Sequence, residues 1–89
     1  MTEFIKNQQS KVTKQIDLEA TGNNIKHLRE DAGLSVKKLA DIFEFETVQT
    51  IYNWQKGRSL PSLENLFLLS SLFNKDINDI VLLKNKQQV

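Results

Sequence analysis

Between Leu34 and Pro61 the chain holds two short helical patterns around a polar turn, and this stretch limits the architecture more than any other. Val36, Leu39, Ala40 and Phe43 recur at i, i+3, i+4 and i+7, which places them on one side of a helix. Ser35 stands before them as an N-cap. Glu44-Phe45-Glu46 interrupts the pattern as a turn. Thr47 can cap the next helix, where Val48, Ile51 and Trp54 make an inner face and leave Gln49, Tyr52, Asn53 and Lys56 further out. Gly57 ends that helix, and Pro61 prevents its resumption because proline has no N–H to give.

The flanks extend the same logic. Thr21-Gly22-Asn23-Asn24 reads as a helix start with Thr21 as N-cap. Ile25, Leu28 and Ala32 form the apolar face behind it, and Gly33 suits its C-terminal cap. Ser62 caps a fourth helix with an inner stripe of Leu63, Leu66, Phe67, Ser70 and Phe73. Leu68, Leu69 and Leu72 add more apolar surface there than one face requires. Asp76 with Asp79 resembles a capping arrangement for a fifth helix, from Ile77 to about Leu83. The expected fold class is all-α, a compact domain of five helices over 21–83, with a polar tail at 84–89 that frays. Residues 1–20 read as a flexible or partly extended N-terminal arm, with a short extended piece suggested by Val12, Ile16 and Leu18.

Composition narrows the function. Eighty-nine residues make one domain, and 39% hydrophobic residues support a core of modest size. The absence of cysteine removes disulfides and thiolate metal sites and fits a reducing cytosol. No apolar run reaches the roughly 18 residues of a membrane span, and the N-terminus is too polar for a signal peptide, so a cytoplasmic protein is expected. His27 is the sole histidine, which argues against a histidine-based metal site or triad, and the three glycines form no phosphate loop. An enzyme is therefore not expected, nor a cofactor or metal. Twelve basic residues nearly cancel eleven acidic ones, for a net charge of +1. Nucleic-acid binders are commonly more basic, because phosphate neutralisation drives much of their affinity. A local patch from Lys37, Lys38, Lys56 and Arg58 is still available, opposed by Glu44 and Glu46 in the turn.

With these pieces assembled, the chain resembles the Cro/repressor-type helix-turn-helix family, the lambda-repressor-like or Xre-like fold. The resemblance rests on Asn24-Ile25-Lys26-His27-Leu28-Arg29, Gly33-Leu34-Ser35 and Leu39-Ala40. It continues through Ile51-Tyr52-Asn53-Trp54-Gln55-Lys56-Gly57, Pro61-Ser62-Leu63-Glu64-Asn65-Leu66 and Asp76-Ile77-Asn78-Asp79-Ile80. It covers roughly residues 22–83. Three departures stand out. The step from Leu39-Ala40 to Ile51 is one residue longer than the family's, and Glu44 replaces its turn glycine, so the turn is expected to bulge outward. Gln55 occupies the place where the family puts a glutamate opposite Arg29, so a neutral hydrogen bond would replace an ion pair. Val36 replaces a polar residue that opens the second helix, a role Ser35 or the backbone N–H groups there would have to take.

The resemblance implies a sequence-specific transcriptional regulator, a repressor, that binds double-stranded DNA as a homodimer with its third helix in the major groove. Base contacts are carried over to Gln49, Asn53, Thr47 and Thr50, since carboxamides can pair with adenine and a threonine methyl can meet thymine. Phosphate contacts are carried over to Ser35, Lys37, Lys38, Tyr52, Lys56 and Arg58. Leu68, Leu69, Leu72, Val81 and Leu82 are candidates for the dimer surface, with core burial as the alternative for each. A second reading is a protein-interaction module, or an antitoxin-like protein with a protein partner, on the same fold with weak or no DNA binding.

Overall fold

The computed structural model describes residues 15–84. Within them lie five helices: α1 (Leu18–Asp31), α2 (Val36–Ile42), α3 (Gln49–Gln55), α4 (Leu63–Phe73) and α5 (Ile77–Ile80). The only β pairing among these residues is an isolated antiparallel bridge, Ile16 to Leu83. The all-α expectation therefore holds. Residues 1–14, with Val12 of the suggested extended piece, and residues 85–89 of the tail lie outside the described residues.

The first helix starts earlier than its sequence suggested. Asp17, not Thr21, is its N-cap, and its carboxylate accepts the Ala20 N–H at 3.0 Å. Asp at this position satisfies an otherwise orphaned donor and favours the positive end of the helix dipole. Thr21 is instead buried one turn inside the helix. Its hydroxyl accepts the Leu82 N–H at 2.9 Å and reaches Leu82 O at 3.4 Å. Nearby, the Asn24 amide donates to Asp79 O at 2.7 Å and Ile80 O at 3.1 Å, satisfying carbonyls at the end of α5. Ala32, read as part of the apolar face, is the exposed C-cap.

The core is Ile25, Leu39, Ala40, Ile51, Trp54, Leu66, Leu69 and Ile80, with every helix contributing. Each large aliphatic among them contributes roughly 1.5–3 kcal/mol of transfer free energy on burial. In α4 the inner stripe is Leu66, Leu69, Ser70 and Phe73, spaced i, i+3, i+4 and i+7. Leu63 and Phe67, expected inside, are 66% and 58% exposed. Buried Pro61 and the Ser62 cap, whose hydroxyl accepts the Asn65 N–H at 3.1 Å, set where the helix begins. The fifth helix is a single turn. Asp76 precedes it without a side-chain capping bond, and Val81 turns extended because residues 82–84 pair with 15–17.

Four helix ends use the same device, a residue in the left-handed region just past the helix. Gly33 and Gly57, both at φ +74°, fill it after α1 and α3, as glycine readily does. Asn74 at φ +56° fills it after α4. After α2 the residue is Glu44, at φ +60°. Its N–H reaches Asp41 O at 3.0 Å while the Phe45 N–H reaches Ala40 O at 2.9 Å, so the helix closes just as it would with glycine. The turn does not simply bulge outward. Phe45 folds in, with its ring 5.5 Å from Phe43 and 5.8 Å from Trp54. Bends at 46–48 then lead into α3.

Candidate functional site

The position of α3 follows from what holds its C-terminal half. Ile51 and Trp54 are buried, and Trp54 stands edge-on to Phe43 at 5.8 Å, which joins α3 to the end of α2. On its other side α1 comes so close that a Cβ on Gly22 would lie 2.3 Å from Trp54 O and 2.6 Å from Gln55 O. A glycine inside a helix weakens it. Here it is what lets two backbones meet. In the sequence Gly22 sits beside a candidate helix start, and nothing local marks it as a crossing point.

Arg29 ties the same end of α3 to the beginning of α2. It is 8% exposed, its Nε donates to Gln55 Oε1 at 2.9 Å, and its Nη1 donates to Leu34 O at 2.7 Å. The neutral substitute expected for the family's ion pair is thus formed. Glu30 is the carboxylate nearest the guanidinium, with Oε2 3.8 Å from Nη2. Arg29 therefore works as a structural tie, one charge linking three segments.

The opposite side of α3 faces outward. Gln49, Tyr52, Asn53 and Lys56 fall at i, i+3, i+4 and i+7, and each is exposed or half-buried. Gln49 Nε2 donates to Asn53 Oδ1 at 3.0 Å, so the two carboxamides are already in contact. Tyr52 is 39% exposed, and Lys56 Nζ stands 6.0 Å from its ring centroid, at the outer limit of a cation–π contact. Thr47 does not act as the N-cap of α3. That place is held by Val48, which offers no side-chain bond, and the Thr47 hydroxyl accepts the Gln49 N–H at 3.3 Å. Thr50 is half-buried.

The remaining candidates are dispersed around this stripe. The Ser35 hydroxyl accepts the Lys38 N–H at 3.0 Å, which caps α2 and leaves its O–H free to donate. Lys37 pairs with Asp41 one turn along, Nζ to Oδ1 at 3.3 Å, in the open. Such exposed pairs are weak and exchange readily for another anion. Lys38 and Arg58 are exposed, Arg58 directly after the glycine that ends α3. Glu44 and Glu46 are exposed in the turn that leads into α3. Of the candidates for the dimer surface, Leu69 is fully buried and belongs to the core, Leu72 and Val81 pack against it, and Leu82 is half-buried. Leu68 is 51% exposed beside Leu63 and Phe67.

Among the described residues no group of three or more His, Cys, Asp or Glu could hold a metal ion, and no helix is long and apolar enough to cross a membrane. What the arrangement offers is an anchored helix with two amides, a phenol and a cation on its free side. A family model described as helix-turn-helix matches residues 25–80, more than half of the chain. No curated protein and no solved structure matches the chain.

Proposed function

Since the chain belongs to the helix-turn-helix family, in its Xre or lambda-repressor-like form, and is a DNA-binding regulator, we propose that it acts as a repressor that inserts α3 into the major groove. The observation that carries this reading is the division of α3. Its inner side is locked to α1 and α2, while Gln49, Tyr52, Asn53 and Lys56 project from the free side. Gln49 and Asn53 would meet base edges, with Thr47 and Thr50 beside them. Tyr52, Lys56, Arg58, Lys37 and Lys38 would meet phosphates on either side. Ser35 would contribute through the helix end that it caps. The Lys37–Asp41 pair would open as Lys37 turns to a phosphate.

The protein works as a homodimer in this reading, because one such domain covers a single half-site and a two-fold operator supplies the rest of the affinity. Exposed Leu63, Phe67 and Leu68 on α4 support a second copy as the partner of that face. Near-neutral overall charge and the exposed Glu44 and Glu46 favour the alternative, a protein-interaction module on the same fold.

Selection of bound sites from a randomised duplex pool separates the two. An enriched inverted repeat is the expected result, and an unenriched pool even at low salt would leave only the interaction module. On the selected site, log affinity should fall steeply with log salt. Lys56→Ala should reduce that slope by about one unit, the value for one lost phosphate contact. An unchanged slope would remove Lys56 from the interface.

A further inference from the structure

The bridge between Ile16 and Leu83 leaves one of its edges open. The Asp17 N–H donates to Leu82 O and the Lys84 N–H to Gln15 O, each at 2.8 Å. In an antiparallel pair, the residues between two such bonds turn their own N–H and C=O away from each other. Ile16 and Leu83 are that pair. On the Ile16 side the strand cannot lengthen, because the chain becomes helical at Leu18 and Gly57 packs against it. On the other side Leu83 is 50% exposed and Val81 before it is already extended. Neither the N–H nor the C=O of Leu83 has a hydrogen-bond partner among the described residues. An open edge of this kind is a template for another strand. The side chains of Ile16 and Leu83 line an apolar groove of about 510 Å³ with Leu66, Ile77 and Val81. Leu66 is one turn from exposed Leu63, so the groove adjoins the α4 face named above.

We infer that a second copy of this chain pairs with the Leu83 edge, antiparallel about a two-fold axis at Leu83, and that this strand joins the homodimer. The inference rests on the homodimer reading given above and names its surface. Three features fit a second copy. The first is the backbone. At the axis the Leu83 N–H donates to the C=O of Leu83 of the partner subunit and accepts the reverse bond at its own C=O, so both open groups are satisfied in each copy. The second is the apolar surface. Directly paired residues share one side of a sheet, so Ile16 and Leu83 continue into Leu83 and Ile16 of the partner subunit, and two grooves become one apolar strip. The third, which favours this chain over an unrelated strand, is charge. The segment entering the edge is acidic, with exposed Asp76 and Asp79. The residues leaving it are basic, exposed Lys84 and, further along the sequence, Lys86. Antiparallel pairing turns the basic end of each copy toward the acidic end of the other, whereas a parallel copy would bring like charges together.

Sedimentation equilibrium of the full chain, with circular dichroism to follow the fold, tests this. The wild type should show a monomer–dimer equilibrium. Leu83→Pro removes an N–H that the monomer leaves unused and keeps an apolar side chain, so it should stay folded. It takes two hydrogen bonds from the dimer, and the dissociation constant should rise by about tenfold or more. The double variant Lys84→Glu, Lys86→Glu should weaken the dimer at low salt. Adding Asp76→Lys and Asp79→Lys should restore it, an exchange that altered monomer stability would not produce. If Leu83→Pro fails to fold, the charge exchange decides. A dimer unaffected by Leu83→Pro, or by the lysine reversals, would overturn the strand pairing and keep the homodimer, with Phe67→Ser then expected to dissociate it. A wild type that stays monomeric at millimolar concentration would overturn the homodimer reading itself and the inference with it.

Discussion

The two ends of α3 are built differently. Its C-terminal end is held by α1 at three points: at Gly22, by the Arg29 side chain on Gln55, and at Gly57, where a Cβ would lie 3.1 Å from the backbone of Leu18 and Glu19. Its N-terminal end follows three residues of bends, begins at Val48 without a side-chain cap, and carries Gln49 in the open. The helix is seven residues long, too short to be stable in isolation. Its direction is therefore set by packing at the far end. The free end is left with side chains that can exchange their bonds for those of a partner. The contrast separates two jobs: rigid backbone contacts hold the angle of the helix, and in the proposed function exposed polar groups on it would do the recognising.

The contrast breaks most severely at Gly22. Gly22→Ala drives a methyl into two backbone carbonyls that cannot rotate away, and overpacking of that kind costs about 3 kcal/mol or more. Urea unfolding should show a large fall in midpoint, and a wild-type midpoint would mean that α1 and α3 do not meet there. A smaller change strengthens the same end. Gln55→Glu gives the buried guanidinium an anionic partner, and should stabilise by about 1 kcal/mol, the difference between a hydrogen bond to a neutral group and one to a charged group. Loss of stability on that substitution would mean that Glu30 already satisfies the charge. The smallest effect belongs to the loop that leads to the reading end. Glu44→Gly relieves a left-handed side chain but loosens the unfolded chain, for a net gain of about 0.5 kcal/mol. It also removes a carboxylate beside the proposed interface, so duplex binding should tighten slightly at low salt. A net loss of stability would show that the Glu44 side chain makes a contact worth more than its strain.

Local pattern accounted for much of this molecule. The stripe in α2, the inner face of α3, the caps at Ser35 and Ser62, and the glycines at positions 33 and 57 are all properties of a few neighbouring residues. The Arg29–Gln55 bond was legible too, though through family resemblance rather than periodicity. Glu44 shows the limit. The hydrogen bonds that close α2 ask for a left-handed residue at that position whatever its type, and without a glycine the sequence looked like an irregular bulge. Phe45 looked like part of a polar turn, and only the rings of Phe43 and Trp54 explain why it points inward.

Thr21 and the rotation of α4 depart from local pattern for one shared reason. Thr21 seemed a good cap, but Asp17 one turn earlier was equally placed, and the choice was settled by the 82–84 segment. That segment pairs with residues 15–17 and takes the Thr21 hydroxyl for itself. In α4 apolar residues occur on more than one side, so composition left the rotation of the helix open. Contact with the rest of the core chose Leu66 and Leu69 and exposed Leu63 and Phe67. Residues near one another in the chain decide where helices form and how they stop, because caps and periodicity act over a turn or two. Which side is buried and which glycine marks a crossing depend on residues up to 61 positions apart, as with Thr21 and Leu82, and those become neighbours only once the chain has packed.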